Sequence, residues 1–109
     1  MISFKPGDVV LVAFPFTASG ATKERPAVVL LDTGDDDLVA ARVTTQMHRT
    51  PYDVSLTDWK RAGLLAPSVL RLHKVATLAK SRVSRRLGRL DAGDRQNVAA
   101  VLTRLFSAW

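Results

Sequence analysis

Apolar positions fall into short runs for most of the chain and change to a helical spacing only near its end. The first two runs, Val9 to Phe14 and Ala27 to Leu31, are rich in valine and bounded by Gly7, Pro15 and Pro26. Runs of this length between turn residues read as buried strands, and the small, polar and charged stretch from Thr17 to Pro26 reads as their joining loop. Pro15 has no backbone donor, so the first ladder should end or lie at an edge there. Phe14 and Phe16 share one side of a strand and are expected in the core. Asp32 to Asp37 is dense in turn formers, and its three consecutive aspartates read as a solvated turn leading into a third strand, Leu38 to Thr45.

Alternation in that third strand puts Arg42, Thr44 and Gln46 on one face and Val43 and Thr45 on the other. Met47 to Pro51 should be a loop exposing His48 and Arg49. Tyr52 to Leu56 alternates weakly as a short strand, and Thr57 to Leu65 reads as a helical turn or tight loop that lays Trp59 on the core. Val69 to Leu72 and Val75 to Leu78 make a second β region, where Val69, Arg71 and His73 share a face if the strand is continuous. The next segment is crowded with Lys80, Arg82, Arg85, Arg86 and Arg89, and Gly88 should mark the turn before the last element. From Asp91 the period becomes helical. Val98, Val101, Leu102, Leu105 and Phe106 form one stripe, Asp91 is the N-cap, Asp94 lies in the first turn, and Arg95 and Arg104 fall on the outer side. Strands first and one long helix last describe an α+β domain, a small bent antiparallel sheet whose open face the C-terminal helix covers.

Length and charge narrow the functions this fold can carry. The 109 residues make one domain, 1–109, with no room for a separate catalytic domain, so chemistry must occur on the surface of one small fold or across an oligomer interface. The net charge is +6, and it is unevenly placed: residues 51 to 109 carry eleven basic and four acidic groups, residues 1 to 50 five and six. A basic half suggests an acidic partner, nucleic acid or an acidic protein segment. Without cysteine there is no disulfide, thiol nucleophile or cysteine metal site, and the two histidines, His48 and His73, lack a metal-binding spacing, so no metal or other cofactor is expected. No apolar run approaches a membrane span, no secretory leader is evident, and a cytoplasmic location is expected.

Arg25 precedes Pro26, which holds it extended at the mouth of the second strand and fixes where its guanidinium starts. Together GDVVLVAFPF, KERPAVVL, ARVTTQ, DWKRAGLLAPSVLRLHKVATL and the terminal LTRLF resemble, in order and over nearly the whole chain, the MazF/PemK family of type II toxin-antitoxin toxins. The resemblance implies a compact SH3-like β-barrel with a C-terminal helix, a homodimer, and metal-independent endoribonuclease activity on single-stranded RNA. It also implies a cognate antitoxin with an acidic, flexible tail. Arg25 matches the family's catalytic arginine and Thr44 its catalytic threonine, with Thr45 a neighbour. Arg71 matches a basic residue near the scissile phosphate in some members. His73 stands where PemK-like members carry an acidic group.

Metal-free RNA cleavage through the substrate's own 2′-OH needs a proton acceptor, a cation on the crowded phosphate and an acid for the leaving 5′-oxygen. Arg25 suits the cation, Thr44 can orient the 2′-OH or hold the phosphate, and His73 can shuttle a proton. Lys23, Thr45, Gln46, Arg49, Arg71 and Lys74 are the expected RNA-binding residues. Two other readings fit the same pattern: a non-catalytic SH3-like module that binds nucleic acid or protein, and a gyrase poison of the CcdB kind acting through Trp109.

Overall fold

The computed structural model describes residues 2–15 and 22–109; the side chains of Phe14, Pro15 and Thr22, and all of Phe16, lie outside the described residues, so the core placement expected for the two phenylalanines is not addressed. The strands are β1 (Asp8–Pro15), β2 (Thr22–Leu31), β3 (Asp37–Thr44), β4 (Asp53–Ser55), β5 (Val69–Ala79) and β6 (Val83–Arg89), followed by helix α1 (Ala92–Leu105). They form one antiparallel sheet in the order β4-β5-β3-β2-β1-β6.

One connection determines the shape of that sheet. β5 and β6 are separated by β3, β2 and β1, four spacings that would be about 19 Å in a flat sheet. They are joined by a single 3-10 turn, Lys80–Arg82. Even fully extended, that link spans only about 14 Å, and a 3-10 turn is much shorter. The sheet must therefore curl. At the crossing, Lys80 N donates to Asp36 O at 2.7 Å and Arg82 Nη1 to Ala13 O at 3.4 Å, so the turn touches the start of β3 and the end of β1. The Lys80 ammonium is fixed 2.9 Å from the Asp32 carboxylate, and that hydrogen bond, with those from the Phe4 and Gly34 N–H groups, lowers the Asp32 pKa to about 2.

Curling encloses one face of the sheet. Val10, Val12, Ala27, Val29, Leu38, Ala40 and Leu78 line it, with Phe4, Ala76 and Val83 packed at its margins. The opposite face carries Val9, Val28, Ala41, Val43, Leu70 and Leu72, covered by Leu56, Ala62 and Leu64 from the loop after β4 and by Val98 of α1. Trp59 joins this core, as expected. No ladder links β6 to β5 or β4 in the described residues, so the sheet is strongly bent and open, where the family resemblance implied a closed barrel.

Several local expectations are corrected. β2 begins at Thr22 rather than Ala27, which moves Lys23, Glu24 and Arg25 from a loop onto a strand. Gly7 N donates to Val29 O, so by alternation Pro26 directs its missing donor toward β3, and the ladder to β3 starts only at Ala27. β5 is one continuous strand, yet its register against β3 slips from Arg42↔Arg71 to Ala41↔Val75. Leu72, His73 and Lys74 bulge out between, and His73 leaves the row of Arg71. Gly88 lies inside β6 instead of at a turn, because a Cβ there would come within 2.6 Å of Ala62 O. Gly63, at φ +84°, answers it from the other side: a Cβ on Gly63 would sit 2.2 Å from Leu87 O. The two glycines let the loop after β4 lie directly on the β6 backbone.

Helix α1 starts as the sequence predicts, with the Asp91 carboxylate accepting from Asp94 N at 2.7 Å. Asp94 does more than complement the helix dipole. Fully buried, its carboxylate accepts from Thr57 N at 3.0 Å, Thr57 Oγ1 at 3.0 Å and Asp58 N at 3.3 Å. Arg95 is not on the outer side: its Nη1 donates to Leu90 O at 2.6 Å and its stem lies against Gly7. Phe106 follows the last helical residue and is exposed, so the apolar stripe ends at Leu105.

Replacing Asp94 leaves three donors of the Thr57–Asp58 turn without their acceptor. We expect Asp94→Ala to lower unfolding stability by about 3 kcal/mol, measured by urea denaturation. An unchanged midpoint would show that the turn does not depend on this carboxylate.

Candidate active site

At the end of the curled sheet, the row of enclosed apolar residues gives way to charge. Ala27 and Arg25 are on the same side of β2, and Arg42 and Thr44 continue the side that carries Ala40 on β3. Arg25 pairs with Val12 across β1. Extending the β2–β3 register two residues past Ala27↔Arg42 places Arg25 beside Thr44. Arg25 is half-buried, and its Nε is shielded from solvent with no hydrogen-bond partner among the described residues. A buried guanidinium N–H without an acceptor is costly, and an incoming anion would satisfy it.

Thr44 closes β3 opposite Val69 of β5. Its Oγ1 accepts from Gln46 N at 3.1 Å, which turns the chain after the strand and commits a lone pair, not the hydroxyl proton. The hydroxyl therefore remains able to donate. Thr45 and Gln46 are exposed just beyond, Lys23 is exposed on β2, and Arg49 is exposed in the following loop, while His48 is half-buried.

Arg71 is the best-anchored cation of the group. It faces Arg42 on one side and Asp53 on the other, in a three-strand row. Its Nε lies 2.9 Å from Asp53 Oδ1. Asp53 also accepts from Thr50 Oγ1 at 2.6 Å and Thr50 N at 3.0 Å. Burial by itself would raise the Asp53 pKa, but the Thr50 hydroxyl, the Arg71 guanidinium and the Thr50 N–H together bring it down to about 2. Asp53 is thus an anion at any pH near neutrality and cannot exchange protons with a substrate there. What it does is hold Arg71 through its Nε. Sequence reading missed Asp53 because its partner is eighteen residues away across a ladder; the only local signal was the Thr50-x-x-Asp53 spacing of a side-chain-closed turn.

His73 and Lys74 are exposed in the bulge of β5, and the His73 ring stands 5.2 Å from that of Tyr52, tilted by 49°. Leu72 N donates to Tyr52 O at 2.9 Å, so the bulge is tied to the residue before β4. The structure therefore brings Arg25, Thr44 and Arg71 onto one face and sets His73 at its border, off the Arg71 row. A cavity of about 800 Å³ lies elsewhere, between Phe4, the 3-10 turn and Arg85 and Arg86 of β6, and none of these residues lines it. Among the described residues no cluster of three or more His, Cys, Asp or Glu side chains could hold a metal ion.

The family model described as "PemK-like, MazF-like toxin of type II toxin-antitoxin system" matches residues 5–106. No curated protein matches the chain. Among solved structures, an endoribonuclease in complex with its cognate antitoxin from a mycobacterial species is 17% identical, with a TM-score of 0.77 over 96% of each chain. The Mycobacterium tuberculosis toxin MazF-mt6 is 20% identical at TM-score 0.76, covering 94% of this chain and 97% of that one. A MazF from Deinococcus radiodurans is 23% identical at TM-score 0.75, covering 98% of this chain and 99% of that one. At these identities the structures establish a shared fold.

The depressed Asp53 pKa has a definite consequence for stability. A carboxylate whose pKa falls from 3.8 to about 2 on folding stabilises the fold above the unfolded value and loses that contribution as pH falls through the folded one. The difference in thermal midpoint between the wild type and Asp53→Asn should be constant above about pH 5 and shrink as pH falls toward about 2. Thermal scans across that range test this, and a pH-independent difference would mean the pair is not formed.

Proposed function

The chain belongs to the PemK-like, MazF-like toxins of type II toxin-antitoxin systems, and on that premise we propose that it is a metal-independent endoribonuclease that cuts single-stranded RNA at a short recognition sequence. The observation that carries this reading is Arg25: a guanidinium whose shielded Nε has no partner among the described residues, on the side of β2 that continues the face carrying Thr44 on β3. Such a donor is suited to a phosphate that becomes more negative as it is attacked.

In this reading the substrate's 2′-oxygen attacks the adjacent phosphorus and the bond to the 5′-oxygen of the next nucleotide breaks. Arg25 binds the non-bridging oxygens of the crowded phosphorus, and Thr44 donates its hydroxyl to the same group or orients the 2′-OH. His73 takes the 2′-OH proton and can return one to the departing 5′-oxygen. Arg71, braced by Asp53, supplies a second cation, and Lys23, Thr45, Gln46, Arg49 and Lys74 bind the flanking strand. The products are a 2′,3′-cyclic phosphate and a 5′-OH. The acidic residue of PemK-like members is replaced here by an exposed imidazole, which suits proton transfer in both directions.

The proposal extends to partners and setting. One similar structure is an endoribonuclease in complex with its cognate antitoxin, and we propose that a cognate antitoxin with an acidic, flexible tail competes for the same arginines here. We place the protein in the cytoplasm as a homodimer, and we read the bent sheet with its 3-10 crossing as an SH3-like arrangement. No helix among the described residues is long and apolar enough to cross a membrane. Trp109 is fully exposed, so it makes no packing contribution within the described chain and is free to meet another one.

Purified protein incubated with a long single-stranded RNA in EDTA should give discrete cuts bearing 5′-OH ends. Arg25→Ala should reduce the rate by about 100-fold or more, and His73→Ala by a similar order, about 100-fold. Wild-type rates in a correctly folded Arg25→Ala protein would refute the assignment. RNA bound but uncut by the wild type would favour the binding module. RNA neither cut nor bound, with growth inhibition relieved by deleting Trp109, would favour a gyrase poison.

A further inference from the structure

Arg42 has no role in the reading above, yet its placement is unusual. It stands directly opposite Arg71 across the β3–β5 ladder, on the same face. Like charges facing each other on one side of a sheet repel, and a fold selected for stability alone has no reason to keep them there. The single carboxylate in that row, Asp53, is on the far side of Arg71 and binds its Nε. Its remaining hydrogen bonds come from Thr50, so it is not available to Arg42. Arg42 is exposed and forms no salt bridge among the described residues. The row Arg42, Arg71, Asp53 thus holds two guanidinium groups side by side with one anion, leaving a net positive charge directed at solvent.

From these positions we infer that Arg42 and Arg71 together form a second phosphate-binding subsite, which takes a backbone phosphate of the RNA next to the one being cleaved, with Asp53 fixing Arg71 so that both guanidinium groups face the same oxygens. A bound phosphate turns the repulsion between the two arginines into a shared attraction. Two residues along β3, about 6.8 Å, separate Arg42 from Thr44, a step on the scale of the spacing between successive phosphates of an extended strand. The subsite therefore continues the track of the cleavage site along β3, where a strand held at Thr44 would deliver its neighbouring phosphate. A carboxylate ligand could meet two guanidinium groups, but the alignment with Thr44 along β3, with Arg25 on the same face of the neighbouring β2, favours a repeating phosphate chain.

This inference rests on the ribonuclease reading, and the test separates the two. The probe is a single-stranded RNA containing the mapped recognition sequence, with 2′-deoxy substitution at the cut position so that it binds without being cleaved. Its affinity is measured from low to high salt for the wild type, Arg42→Gln and Arg42→Lys. Arg42→Gln should weaken binding and reduce the slope of log affinity against log salt by about 0.7, the amount expected for one phosphate contact to a single strand; Arg42→Lys should keep the slope. The thermal midpoint of Arg42→Gln at low salt should stay level or rise as the repulsion is relieved. An Arg42→Gln protein with wild-type affinity and slope would overturn the subsite while leaving the ribonuclease reading intact. So would a lowered midpoint with an unchanged slope, which would make Arg42 structural. Wild-type RNA binding by Arg42→Gln together with lost binding of an oligoglutamate peptide would overturn it in favour of an acidic protein ligand. A wild type that neither binds nor cuts the natural RNA would instead remove the premise.

Discussion

The structure depends on a connection too short for a flat sheet. Three residues carry the chain from β5 to β6 past three intervening strands, and the sheet has to close up around the gap. The inner side follows: mostly small and β-branched residues, Val10, Val12, Ala27, Val29 and Ala40, line it, with Leu38 and Leu78. The outer side must then be covered by something else. It is covered by α1 and by the glycine-hinged loop after β4, which Asp94 ties to the start of the helix.

The same curl concentrates the charge. Strands that are apolar along most of their inner side become charged at one end, so β2, β3 and β5 each present an arginine there: Arg25, Arg42 and Arg71. Of the three, among the described residues, only Arg71 has a carboxylate partner. A small domain has too little interior to bury such a cluster of charge, and here it lies at the rim of the sheet, where rigid strands fix the backbone. Because the guanidinium positions are set by ladder register, a one-residue slip would turn all of them to the opposite face.

What the sequence made legible was periodic, and what it hid was contact between distant residues. Val9 to Phe14, Leu38 to Thr45 and the helix after Asp91 declared themselves through alternation and 3.6-residue spacing, and Arg25 and Thr44 were singled out through their motif. The start of β2 was hidden because Thr22 to Pro26 reads as a loop on composition, although pairing with β1 holds it extended. Gly88 read as a turn because sequence cannot show that Ala62 lies against it. The bulge that removes His73 from the Arg71 row is a register slip, invisible to any count along one strand. Asp53 was not singled out and Asp94 was read only as a first-turn residue, since the groups they bind lie far along the chain.

The distribution of the buried acids separates structure from chemistry. Asp94 is wholly enclosed and spends its oxygens on backbone and hydroxyl donors of one turn, so its charge contributes to folding. Asp53 is an anion near neutral pH, its pKa lowered to about 2 against the opposing effect of burial, and it lies in the arginine row, bound to Arg71. Its fixed charge orients that cation, while the exposed His73 ring stands beside Tyr52. With a fixed anion behind Arg71 and no carboxylate recorded on Arg25 or Arg42 among the described residues, the rim presents excess positive charge that water can only partly satisfy. An extended polyanion is the ligand that neutralises all three positions at once, which is why charge placement and sheet register point to the same strand of RNA.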